Sequence, residues 1–98
     1  MSDHTENIHV ADDPTRNRYV VRVDGQDAGF AAYELKGDRI VFTHTEIDDA
    51  YEGRGLGSRL ASGALDDVRG RDVGVVARCP FIARYIERHP EYADLVRP

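Results

Sequence analysis

The sequence predicts an α+β domain: a mixed, mainly antiparallel sheet flanked by two helices. Three observations carry that prediction. The first half is rich in β-branched and aromatic residues and is broken by two tight-turn signals, Asp24-Gly25 and Gly37-Asp38. The second half switches to helical spacing after a cluster of glycines. A strand, a helix and another strand then follow in order, and strands joined by a crossover helix pair in parallel.

Residues 1–17 are mostly polar and contain the breaker Asp12-Asp13-Pro14. Residues 1–16 are expected to form a flexible arm, in which Ile8-His9-Val10 could add a short edge strand. A single domain is expected over residues 17–98. Arg18 to Val23 reads as its first strand, Ala28 to Leu35 as the second and Arg39 to Ile47 as the third. The turns between them make these three an antiparallel meander. Leu56, Leu60, Ala61, Ala64, Leu65 and Val68 then recur at helical spacing, with Ser58, Arg59, Ser62, Asp66 and Asp67 largely on the other side. This predicts an amphipathic helix of about four turns ending near Gly70. Val73 to Ala77 is a short apolar strand. Pro80 suits a first helical position and starts a second helix, Phe81 to about Arg88, which His89-Pro90 stops.

With 98 residues the chain fits one small domain, and such a chain buries only about two-thirds of its unfolded surface. Little room is left for an enclosed chamber. A net charge of −5 argues against binding a nucleic-acid duplex, which needs a basic face. It leaves room for a small phosphorylated ligand held by backbone N–H groups. No apolar run approaches the ~20 residues of a membrane span, and no signal-peptide core opens the chain, so a cytoplasmic protein without membrane contact is expected. Cys79 is the only cysteine. It cannot form an internal disulfide, and one thiol is too few for a Cys-based zinc site, so no metal is expected.

The segment Glu52-Gly53-Arg54-Gly55-Leu56-Gly57-Ser58 joins the third strand to the first helix. Three glycines at alternate positions let the backbone turn tightly and approach a ligand. Their N–H groups and the helix's unsatisfied first-turn donors together suit a phosphate or pyrophosphate. A glycine-rich connection that only lets strand and helix pack is the plain alternative. A Walker loop is excluded because no lysine follows the glycines. A dinucleotide fingerprint is excluded because Ser58 stands where its last glycine belongs.

The same segment resembles the acyl-CoA-binding signature of GCN5-related N-acetyltransferases: Gln or Arg, two residues, Gly, one residue, then Gly or Ala. Glu52, Gly55 and Gly57 stand at its three defined positions, and Glu52 departs from the usual Gln or Arg. An acid there disfavours a pyrophosphate, so that side chain is expected to point away, with Arg54 and Arg59 offsetting it. His44-Thr45-Glu46-Ile47, Cys79-Pro80-Phe81 and the closing run Tyr85 to Tyr92 extend the likeness over about residues 18 to 95. Together they resemble a minimal single-domain branch of the family, the bacterial YjdJ type. The resemblance implies the acetyltransferase fold, acetyl-CoA or coenzyme A as acyl donor, and an amine acceptor. It implies that Ile40 to Ile47 splays from Val73 to Ala77, with the pantetheine arm in the gap. Ligand contacts are then expected from Thr45, Ile47, Glu52, Gly53, Arg54, Gly55, Leu56, Gly57, Ser58, Cys79 and Phe81. Larger relatives place helices between the first two strands to build the acceptor pocket. This chain has only Asp24-Gly25-Gln26 there. An open, shallow acceptor side follows, suited to an exposed amine on a protein or to a small polyamine.

Four side chains are candidates for the chemistry. Simple alternation puts Ile40, Phe42, His44 and Glu46 on one face of the third strand. A histidine such as His44 is a candidate general base, and Glu46 could orient it or hold a water. A solvated strand end explains both equally. Cys79 precedes Pro80 near an N-cap position beside Arg78, where a helix terminus and a cation favour thiolate. It could take the acetyl group in a ping-pong step, as the resemblance suggests, or only line the channel. Tyr85 matches the helix tyrosine that protonates the CoA sulfur in many larger relatives. Those have Gly-Phe after it, where this chain has His89-Pro90, and a tyrosine packed on the sheet is the alternative. Two functions stay open: an acetyl-CoA-dependent N-acetyltransferase, and a non-catalytic CoA-binding module acting as sensor or protein partner. An exposed sheet edge allows a monomer or a homodimer.

Overall fold

The computed structural model describes residues 7–97. Its sheet runs β1 (Ile8–Asp13), β2 (Arg18–Val23), β3 (Gln26–Lys36), β4 (Arg39–Ile47) and β5 (Gly74–Ala77), in that spatial order. The first four strands pair antiparallel, and β4 pairs with β5 in parallel. The β2–β3 turn works because Asp24 and Gly25 both take positive φ, 51° and 86°, as a two-residue type I′ hairpin requires.

Helix α1 (Leu56–Arg71) connects β4 to β5, and α2 (Pro80–Arg88) follows β5. The six apolar positions expected on α1 are all buried, and α2 adds Ile82 and Ile86. They join one cluster with Tyr19, Val21, Tyr33, Ile40, Phe42 and Val75 from the sheet. Leu60, Leu65 and Ile82 are fully buried, each worth roughly 1.5–3 kcal/mol relative to exposure. A 3₁₀ turn, Pro90–Leu95, buries Tyr92 and Leu95, and Val96 then bridges Val75. No helix among the described residues is long and apolar enough to cross a membrane.

The stretch expected as an arm needs correction. Ile8 to Asp13 pairs with β2 along its whole length, from Ile8↔Val23 to Asp13↔Arg18. Residues 8–16 therefore belong to the domain; the start of the expected arm, residues 1–6, lies outside the described residues. The expected edge strand at Ile8-His9-Val10 is there and runs on to Asp13, where polar side chains add to the ladder and to the packing of Ile8 and Val10. Asp12 accepts from the Tyr33 hydroxyl at 2.6 Å and from Arg71 at 2.7 Å. Arg71 also reaches Asp67 at 3.0 Å, and Asp67 accepts from the Tyr19 hydroxyl at 2.6 Å. One carboxylate on β1, one carboxylate and one arginine on α1, and two core tyrosines thus close a chain of charged hydrogen bonds, which are stronger than neutral ones. Gly63 lets α1 come down on β1: a Cβ there would meet Val10 at 2.7 Å.

Candidate functional site

The site begins where two strands part. β4 continues to Ile47, but its pairing with β5 ends at Phe42↔Ala77. Arg78 and Cys79 both donate their N–H to the Phe42 carbonyl, at 3.0 and 2.9 Å. These two hydrogen bonds to one carbonyl turn the chain out of the sheet, and Pro80 opens α2. Residues 43–47 keep β3 on one side and have no strand on the other. A wedge is left between β4 and the start of α2, edged by unpaired strand backbone that can accept an extended ligand as an added strand.

A bulge decides which side chains look into the wedge. In the β3–β4 ladder Ala32 faces His44 and Tyr33 faces Phe42, so Thr43 is an extra residue. The expected shared face of Ile40, Phe42, His44 and Glu46 is therefore wrong. Ile40 and Phe42 point into the helix-covered core, and past the bulge Thr45 and Ile47 take that direction. His44 and Glu46 turn to the opposite face, opposite Ala32 and Phe30. There they meet each other, with His44 Nε2 3.0 Å from Glu46 Oε2, and both are exposed. The His44 ring also lies 6.1 Å from that of Phe30.

On the wedge side Thr45 Oγ1 lies 3.2 Å from Cys79 Sγ. Cys79 is the N-cap residue of α2, but its side chain caps no N–H, and it is only 3% exposed. Thr45, Ile47, Cys79 and Phe81 thus gather where β4 and α2 part.

The glycine turn closes one end of the wedge. Asp48 starts a 3₁₀ turn, Asp49–Tyr51, by accepting from the Ala50 N–H at 3.0 Å. Gly53 and Gly55 follow with φ of 80° and 74°, a region that costs other residues about 1–2 kcal/mol. Gly55 is the N-cap of α1 and offers no side chain to its first turn, which also holds no acid. The N–H groups of Leu56, Gly57 and Ser58 precede the first intrahelical bond, Arg59 N–H to the Gly55 carbonyl at 3.3 Å. They form an anion cradle with the positive end of the helix dipole behind it. Gly57 has another use: a Cβ there would meet the Phe81 ring at 2.7 Å. The resulting groove, about 450 Å³, is lined by Ile47, Tyr51, Glu52, Gly53, Gly55, Leu56, Gly57 and Phe81. Glu52 is exposed. The Arg54 guanidinium sits 5.5 Å from the Tyr51 ring. Tyr51 was not expected here; its one signal was an aromatic directly before the glycines.

Tyr85 turns toward His89. Its ring stacks on His89 at 3.9 Å, and it lines a second groove with Ser58, Phe81, Arg84, Arg88 and His89. A third groove, about 230 Å³, opens on the face where His44 and Glu46 emerge, with Arg18, Asp27, Phe30, Glu46 and Asp48 in its wall. Arg18 lies over the Phe30 ring at 4.4 Å, and Asp27 is paired to Arg22 at 2.9 Å. These residues come from three strand ends that sequence spacing does not juxtapose.

The chain is similar to known proteins. Human protein NATD1 is 38% identical over 95 residues, covering 93% of this chain and 84% of its own length. The zebrafish (Danio rerio) NATD1 protein is 30% identical over 98 residues, 96% of this chain and 89% of that one. The solution structure of a GCN5-like protein from Staphylococcus aureus superposes with a TM-score of 0.69 at 19% identity, over 93% of this chain and 89% of that one. The family model for GCN5-related N-acetyltransferases matches residues 18–95, which hold the wedge, the glycine turn and the Cys79 corner. The chain belongs to the GCN5-related N-acetyltransferase family.

Proposed function

We propose that the chain transfers an acetyl group from acetyl-coenzyme A to an exposed amine. The observation that carries this reading is the wedge between β4 and α2, which runs into the anion cradle of the glycine turn. An extended pantetheine arm and a pyrophosphate fit those two features in sequence. The cradle holds pyrophosphate through the Leu56, Gly57 and Ser58 N–H groups, with no side-chain contribution required of Glu52. Thr45, Ile47, Cys79 and Phe81 then surround the arm. Coenzyme A supplies the activated acetyl group as a thioester.

The acceptor enters from the opposite face. No helix residue lines the groove there, and its acids are Asp27, Glu46 and Asp48. A cationic amine, on a protein or a polyamine, matches that charge. His44 and Glu46, already 3.0 Å apart, take its proton so that the neutral nitrogen attacks. Cys79, buried and turned to Thr45, lies across the sheet from this pair. The reading is therefore direct transfer with Cys79 lining the donor channel. We place the reaction in the cytoplasm.

Thermal unfolding with coenzyme A, ATP or NAD tests the donor. At a hundred times its dissociation constant a ligand stabilises by about 2.7 kcal/mol, a shift on the order of 10 °C in a domain this size. Only coenzyme A and its acyl forms should give it. Labelled acetyl-CoA offered to an amine panel tests turnover. Binding without transfer to any amine would make the chain a coenzyme A-binding module instead.

A further inference from the structure

The second groove carries a charge pattern that the acyl transfer does not use. The chain holds 18 acids and 13 lysines and arginines, yet no acid lines this groove. Its wall is Ser58, Phe81, Arg84, Tyr85, Arg88 and His89. Arg84 and Arg88 are one helical turn apart on α2, so their side chains leave the helix about 6 Å from each other. Like charges at that spacing repel. Among the described residues, neither guanidinium makes a hydrogen bond or an ion pair, although those of Arg69 and Arg71 on α1 both do. Both are exposed, so a ligand can reach them. The groove is continuous with the cradle: Phe81 lines both, and Ser58 belongs to the first turn of α1.

We propose that this groove binds the nucleotide end of coenzyme A, with the Arg84 and Arg88 guanidinium groups holding its ribose 3′-phosphate. The assignment rests on the coenzyme A reading above and deepens it. A pyrophosphate on the Gly57 and Ser58 N–H groups leaves the attached nucleoside beside Phe81, where the groove opens. Two unpaired guanidinium groups then meet the one dianionic group that separates coenzyme A from its 3′-dephospho form. Paired N–H forks suit phosphate oxygens better than a point charge does.

Calorimetric titration of the full chain with coenzyme A and with 3′-dephospho-coenzyme A tests this. The wild-type chain should bind coenzyme A at least about tenfold more tightly, the scale of one or two charge-assisted hydrogen bonds. R84A/R88A should weaken coenzyme A to the level of the dephospho form and leave the dephospho affinity unchanged. In a readout without variants, adenosine 3′,5′-bisphosphate should displace coenzyme A more effectively than adenosine 5′-monophosphate. Equal wild-type affinity for the two coenzyme forms overturns the assignment and leaves the acetyltransferase reading standing. Equal loss of both ligands in the double variant overturns it as well, since the arginines would then act on the fold. If neither coenzyme form binds the wild-type chain, both proposals fall together.

Discussion

Cys79 and Gly57 show how much a single side chain decides in this molecule. Cys79→Ser keeps a polar group 34 positions from Thr45 in sequence and in reach of it in space. With direct transfer, it should retain turnover and coenzyme A binding within a few-fold, and no acetyl adduct should appear on the wild-type cysteine by mass spectrometry. Loss of turnover with intact binding would instead establish a covalent step. Gly55→Ala places a Cβ at φ 74° and should lower stability by about 1–2 kcal/mol, seen as an earlier urea midpoint. Gly57→Ala acts differently, because its φ is ordinary helix and only Phe81 is in the way. The half-exposed ring can move, so stability should change little while coenzyme A binding weakens. The glycine pattern was legible in the sequence. That one glycine serves backbone conformation and another makes room for a ring was not, because the second depends on α2 returning over α1.

At the scale of elements, β1 holds the clearest test. A chain starting at Asn17 keeps every residue the family model matches, yet loses the Asp12 carboxylate and the cover over Gly63. It should unfold at lower urea, by more than about 1 kcal/mol, because the Tyr33 hydroxyl and Arg71 lose a partly buried partner and β2 loses its ladder to β1. Asp12→Ala alone should reproduce part of that loss. If both chains melt like the full one, the polar network contributes nothing to stability. The helices and the meander were readable from periodicity and turn chemistry, since each depends on local spacing. β1 was readable only in part, as a possible edge strand at Ile8-His9-Val10; its extension to Asp13 rests on Asp12 bonding residues 21 and 59 positions away. A closing turn fixed by His89 and Tyr92 was legible, but not its anchor, the Tyr92 hydroxyl on Asp66, 26 positions back.

For the whole molecule, pH gives a prediction with a definite sign. Burial, reinforced by hydrogen bonds to Asp67, Asp12 and Asp66, pushes the phenols of Tyr19, Tyr33 and Tyr92 up from 10.0. A raised folded value means that this stability is present below pH 10 and lost as pH climbs above it. The Thr15 hydroxyl and Arg16 hold Asp13 below its ordinary 3.8, and Arg69 does the same for Asp94. That contribution is present above pH 3.8 and lost as the carboxylates protonate below it. Circular dichroism against pH should show a stability plateau from about pH 4 to pH 10. Tyrosinate absorbance should rise with unfolding on the alkaline side. A smooth tyrosine titration that precedes unfolding would contradict the buried network.

Thr43 has a consequence for how this strand tolerates change in length. It is the one residue of β4 that faces no counterpart, so the residues on either side of it already alternate without it. Deleting it would leave Phe42 opposite Tyr33 and His44 opposite Ala32, now as direct neighbours in a regular ladder. His44 and Glu46 would keep their face, and Thr45 and Ile47 theirs. Forcing Thr43 into the ladder would do the reverse, turning His44 and Glu46 toward the helices and Thr45 and Ile47 toward water. Deletion of Thr43 should therefore be mild: the strand can lose this residue without changing which way its end faces.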